Sequence, residues 1–101
     1  MHLAIGFGLT EVISLLLSHP RLDVNLGHPL DYAIMHYNVI GFSKKSVEMV
    51  SLLLTHPGLD VNLKDGDETP LFRAIIKNST EMVKLLVEDK RLDISIESFG
   101  N

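Results

Sequence analysis

Three blocks of apolar residues recur along the chain with the same internal spacing. Val12-Ile13 with Leu15-Leu16, Met49-Val50 with Leu52-Leu53, and Met82-Val83 with Leu85-Leu86 each fill positions i, i+1, i+3 and i+4. That spacing lays a buried stripe along a helix of 3.6 residues per turn. Polar residues fill the opposite stripe: Glu11, Ser14 and Ser18; Glu48, Ser51 and Thr55; Glu81, Lys84 and Glu88. These predict a solvated outer face. The pattern predicts helices near 10–18, 46–55 and 79–88, with Leu16, Leu53 and Leu86 in equivalent buried places. Ser46 and Ser79 are expected as N-caps, with Glu11, Glu48 and Glu81 in the first turns, where negative charge suits the helix dipole. His19-Pro20 and His56-Pro57 end the first two of these helices, since proline cannot continue them.

A shorter helix is expected ahead of each. Thr69 offers a hydroxyl to cap free backbone N–H groups, and Pro70 fits the first helical position. Leu71, Ala74 and Ile75 then share one face. Ala4, Ala33 and Ala74 fall at the same place in three successive units, where a small side chain lets two helices approach closely. Asn78 and Gly8 are expected as left-handed stops after the first helices.

The units are 1–25, 26–62 and 63–95, with 96–101 as a lead-in to a further one. Leu59-Asp60-Val61-Asn62 and Leu92-Asp93-Ile94-Ser95 start 33 residues apart. A fixed period of that size indicates a stacked repeat rather than one closed core. With Thr69-Pro70-Leu71-Phe72-Arg73-Ala74, the period resembles the ankyrin repeat family. The resemblance implies an all-α solenoid of helix pairs, about three units long and truncated at both ends. Unit one lacks the Thr-Pro opening, and Gly100 falls at the turn glycine of the next lead-in, so an excerpt of a longer array is expected. The family's threonine–histidine pairing departs from pattern here. Phe72 replaces the histidine in unit three, while His28 and Asp31 exchange roles in unit two.

Unit two also breaks the period. Leu30 to Leu71 spans 41 positions, yet Asp23 to Asp60 spans 37. Four residues are lost from the lead-in loop and eight are gained between the helices. The finger that this loop forms in ankyrin-like arrays should therefore be almost absent at Asn25-Leu26-Gly27. The gained segment either extends both helices by about a turn or forms a longer loop broken at Gly41. Its apolar residues Tyr37, Val39, Ile40 and Phe42 either cover the stack, which is favoured because apolar side chains are usually buried, or form a knob for a partner.

A formal charge of −4, with no basic cluster, argues against nucleic-acid binding. The absence of cysteine removes disulfide and thiol chemistry. Residues 1–17 have an apolar run but no basic start, and Glu11 interrupts it, so the repeat reading outweighs a signal peptide. No run is long enough to span a membrane. The five histidines form no metalloprotease spacing. Asp23, Asp60 and Asp93 are repeat equivalents, separated by helix packing, and are expected to accept hydrogen bonds from loop backbone. Asp65-Gly66-Asp67-Glu68 lacks the spaced ligands of a calcium loop and reads as an acidic turn. No metal, cofactor or catalytic residue is expected.

The resulting expectation is an intracellular, cytoplasmic binding module rather than an enzyme. The alternative is an accessory region of a larger enzyme or channel. By the family resemblance, inner helices and fingers line a concave side. The residue before each repeated alanine and the third after it are four apart and point together. This selects Leu3 and Phe7, Tyr32 and His36, and Arg73 and Lys77, with Asp65, Asp67 and Glu68 from the finger. Tyr32 and Arg73 are the expected anchors. Alternatively Tyr32 packs under the shortened finger, and Arg73 pairs with a nearby acid. The expected partner is another protein, with end-to-end self-association through exposed repeat faces as a further possibility.

Overall fold

The computed structural model describes residues 1–38, 41 and 43–94. Among these residues, six α-helices run in order: α1 (His2–Gly6), α2 (Thr10–Leu17), α3 (Pro29–Met35), α4 (Ser43–Leu54), α5 (Pro70–Ile76) and α6 (Thr80–Glu88). A 3₁₀ turn, His36–Asn38, extends α3. Each unit is a pair: α1 packs on α2, α3 on α4, and α5 on α6. The pairs stack in chain order. An inner row runs α1–α3–α5 and an outer row runs α2–α4–α6.

Local chemistry sets most helix ends. The Thr69 hydroxyl accepts from the Phe72 amide at 3.2 Å, and the Ser79 hydroxyl accepts from the Met82 amide at 3.2 Å. Each satisfies a donor that the first helical turn leaves free. Asn78 adopts φ 56°, which turns the chain from α5 into α6, and Gly8 does the same after α1 at φ 65°. His28 departs from the expected capping pair. It sits at φ 53° and makes no side-chain cap, so Pro29 alone starts α3. The shortened lead-in is a tight turn, with Gly27 at φ 79°.

Ser46 is not a cap. Helix α4 begins a turn earlier, at Ser43, and Ser46 lies inside it, fully buried with an unpartnered hydroxyl. The residues gained by unit two therefore lengthen α4 and add the 3₁₀ turn after α3, which itself keeps the seven-residue length of α5, and Gly41 sits at φ 81°. Val39, Ile40 and Phe42 lie outside the described residues, as do Ser95 and the lead-in at 96–101.

The three repeated alanines are buried, as are Leu53 and Leu86, and the polar stripe on the outer helices is exposed. The buried stripe of α2 is a correction. Val12 and Leu15 are exposed and Leu16 is only half-buried, while Met49, Met82, Leu53 and Leu86 are fully buried. Their burial comes from a preceding unit, whereas α2 belongs to the first unit described.

Two features missing from the sequence reading join the units. Asn25 donates to the Gly58 carbonyl at 3.0 Å and accepts from the Asp60 amide at 2.7 Å. Asn62, its repeat equivalent, donates to the Arg91 carbonyl at 2.9 Å and accepts from the Asp93 amide at 2.8 Å. One amide side chain thus satisfies a donor and an acceptor of the next loop. Asp23 and Asp60 accept from the amides two residues on, as expected. His19 and His56 do the same through Nδ1, at 3.1 and 2.9 Å, and Asp89 does so in unit three. An imidazole nitrogen and a carboxylate oxygen thus do one job at equivalent positions.

Candidate protein-binding face

The inner row presents Leu3 from α1 and Phe7 at its C-cap, Tyr32 from α3, His36 at its end, and Arg73 and Lys77 at α5 and its C-cap. Leu3 and Phe7 are 73% and 67% exposed, a large apolar area open to solvent. At the other end of the row, the Asp65 and Glu68 backbones pair in an isolated antiparallel bridge around Gly66 and Asp67. This is the acidic turn expected from the sequence.

Tyr32 is half-buried between two histidines. The His2 ring stacks on it with centroids 4.3 Å apart and planes at 20°. The His36 ring meets it edge-on at 4.6 Å, with Nδ1 2.8 Å from the Tyr32 carbonyl oxygen. The His2 Nε2 also contacts the Gly27 carbonyl, so one imidazole ties α1 to the turn before α3. The Tyr32 hydroxyl lies beside Gly6, where a Cβ would make an ordinary contact at 3.7 Å. The tyrosine therefore has one ring face stacked on His2 and a second ring set edge-on against it.

Arg73 gathers three carboxylates. Its guanidinium lies 3.0 Å from Glu68, 3.6 Å from Asp65 and 3.4 Å from Asp31, and it also donates to the Asp65 carbonyl at 3.4 Å. One residue on α5 thus holds the finger and reaches across to α3. The contact with Asp31 is an ion pair rather than a hydrogen bond, and neither Asp31 oxygen accepts a hydrogen bond from a described group. Burial pushes the Asp31 carboxyl up to about 6. Attraction to Arg73 opposes the rise, and repulsion from Asp65 and Glu68 adds to it. Three acids around one cation leave this end of the row with surplus negative charge.

Seven of the nine sequence-selected residues therefore fall into two groups. Leu3, Phe7, Tyr32 and His36 line α1 and α3, and Arg73 with Asp65 and Glu68 forms a clasp beside them. Asp67 stands exposed at the fingertip, and Lys77 is half-buried at the end of α5. The pairing of Arg73 with a nearby acid is what the structure contains. Sequence reading missed His2 and Asp31 as partners of these residues, because both contacts join different units. Among the described residues no three His, Asp or Glu side chains are placed to hold a metal ion. No helix among them is long and apolar enough to cross a membrane.

A family model described as ankyrin repeats (3 copies) matches residues 40–98, more than half of the chain. No curated protein and no solved structure shows significant similarity. The match begins between the helices of unit two, yet α1 and α2 repeat the same pairing and left-handed turn ahead of it. With this match and its stacked helix pairs, the chain belongs to the ankyrin repeat family.

Proposed function

We propose that this chain binds another protein through its inner row and finger, and performs no chemistry of its own. Ankyrin repeats are in general protein-interaction modules, and the Arg73 clasp is the observation that carries the reading to this face. By tying the finger to two helices of different units, it fixes a surface that would otherwise be a mobile loop. A preformed surface loses less conformational entropy on binding. Leu3 and Phe7 offer apolar area at one end, and Asp65, Asp67 and Glu68 offer negative charge at the other. A partner with an apolar anchor and a basic flank fits both. Tyr32 supplies a contact at the centre, and Arg73 acts by holding the finger. The proposed setting is intracellular and cytoplasmic.

Affinity capture tests this with three baits: the unaltered chain, Tyr32→Ala and Lys84→Ala. Recovery of one protein by the first and third baits, with loss on the second, supports the reading. No specific capture, or equal capture by all three, counts against it and favours an accessory region that packs on its own larger protein. A second reading, end-to-end self-association, is favoured by apolar side chains left open at both ends of the stack.

A further inference from the structure

Asp31, Asp65 and Glu68 share one guanidinium but not one environment. The side chains of Asp65 and Glu68 are 52% and 39% exposed, so water screens their charge. That of Asp31 is 3% exposed, and neither of its oxygens accepts a hydrogen bond among the described residues. The Arg73 Nε that faces it at 3.4 Å is likewise buried without a hydrogen-bond partner among them. A cavity of about 10 Å³ beside Asp31, bordered by His28 and Asp60, has no room for a hydrated cation. Charge on Asp31 is therefore met chiefly by Arg73, or removed by a proton.

The other charged groups around α3 are engaged elsewhere or act more weakly. His28, at the start of the same helix, attracts the carboxylate less than Arg73 does. On α1, His2 lies against the Tyr32 ring and the Gly27 carbonyl, and His36 of the 3₁₀ turn meets the same tyrosine. On α4, Lys45 pairs with Glu48, and Lys44 borders a groove that reaches Glu81 of α6. Lys77 stands at the C-cap of α5, and Asp67 is exposed at the fingertip.

The clasp divides the guanidinium between two elements. Nε faces Asp31 on α3, while Nη2 faces Glu68 at 3.0 Å and Asp65 at 3.6 Å on the finger. Ionised Asp31 attracts the arginine toward α3 and repels both finger carboxylates. A proton on Asp31 removes both effects. Three carboxylates against one guanidinium leave two uncompensated charges, and the proton reduces these to one. Burial pushes the Asp31 carboxyl up to about 6, so the proton exchanges near neutral pH rather than in strong acid.

We infer that Asp31 and the finger compete for Arg73, so that a proton on Asp31 tightens the finger on α5 and withdraws one negative charge from the face. The latch itself needs no partner. Its consequence rests on the binding reading above. A basic partner should bind this face more weakly as pH falls, and should expel the proton as it binds.

NMR on the unaltered chain and two variants, with no partner present, tests the latch. The side-chain carboxyl carbon of Asp31 should titrate with a midpoint near 6, and the Arg73 Nε–H and the Asp65 amide should shift with the same midpoint. That amide reports on the finger, because it donates to the Glu68 carbonyl at 2.9 Å. Imidazoles ordinarily titrate in the same window, so the shifts at Arg73 and Asp65 must vanish in Asp31→Asn. Hydrogen exchange at the Asp65 amide should be several-fold slower in Asp31→Asn than in the unaltered chain at about pH 7, and equal in the two at about pH 5. Glu68→Gln removes one competitor at an exposed site, and the Asp31 midpoint should fall. Should Asp31→Asn lose its fold, the Glu68→Gln midpoint alone decides. A midpoint that Glu68→Gln leaves unmoved or raises overturns the competition. Shifts at Arg73 and Asp65 that persist in Asp31→Asn belong to another group and overturn the latch. Either failure leaves the binding reading standing, and a failed affinity capture leaves the latch standing.

Discussion

The guanidinium of Arg91 donates to the carbonyl of Leu54 at 2.7 Å, closing the last turn of a helix that belongs to the preceding unit. Asp89 holds the same guanidinium from the other side, at 2.8 and 3.0 Å. The hydrogen bonds of Arg91 make it a bridge between units, whereas its position in the sequence suggests only a surface charge after a helix.

Replacing Arg91 should therefore loosen unit three from unit two. Arg91→Ala strips partners from three carbonyls and should cost about 1–3 kcal/mol, the range for lost charge-assisted hydrogen bonds. Arg91→Lys should recover little, because an ammonium cannot span the fork of acceptors. Denaturant melts give the total loss, and hydrogen exchange should show it concentrated in α5 and α6. A loss spread evenly over the chain would contradict the bridging role.

The central unit has neighbours on both sides, so its core position should be the most sensitive. Leu53 is fully buried, and Leu53→Ala should cost about 2–5 kcal/mol. Ser51 lies exposed on the outer stripe two residues away, and Ser51→Ala should stay within about 0.5 kcal/mol. Comparable losses at the two sites would mean that the helix faces are assigned wrongly.

The buried carboxyl of Asp31 makes a signed prediction for pH. Its ordinary value of 3.8 applies in the unfolded chain, and the folded value is about 6. Protons therefore bind the folded state more tightly, so acidification stabilises it. The contribution is complete below about 3.8 and is lost as pH rises through about 6. Asp89 acts oppositely. The hydrogen bond from Arg91 holds its carboxyl below 3.8, so its contribution is lost only as pH falls past that value. Between about pH 7 and about pH 5 the Asp31 effect should dominate the difference between the unaltered chain and Asp31→Asn, adding about 1 kcal/mol to the former. A pH profile identical in the two proteins would show that Asp31 does not titrate in this window.

Sequence periodicity was enough to locate the six helices among the described residues, because helical spacing is a local property of each segment. Thr69, Ser79 and Asn78 act within one helix pair, and their roles follow from residue type alone. Ser46 misled because a serine ahead of Val47-Glu48-Met49 imitates a cap, while Ser43-Lys44-Lys45 adds a turn that carries no apolar signal. Burial at Val12 and Leu15 depends on a neighbour rather than on their own helix, so period alone overstated it. The Arg73 clasp and the Arg91 bridge join residues brought together only by stacking. Repetition of asparagine at 25 and 62 was the one visible sign of a link between units.

Binding through the inner row is tested most directly by titrating the captured partner against single variants. Tyr32→Ala and Arg73→Ala should each weaken binding by at least about 1 kcal/mol, while Lys84→Ala on the outer helix leaves it unchanged. Melts of the same proteins show whether Tyr32→Ala keeps its fold, which separates a lost contact from a lost structure. Weakening by Lys84→Ala, with Tyr32→Ala and Arg73→Ala binding normally, would place the partner on the convex back and contradict the account.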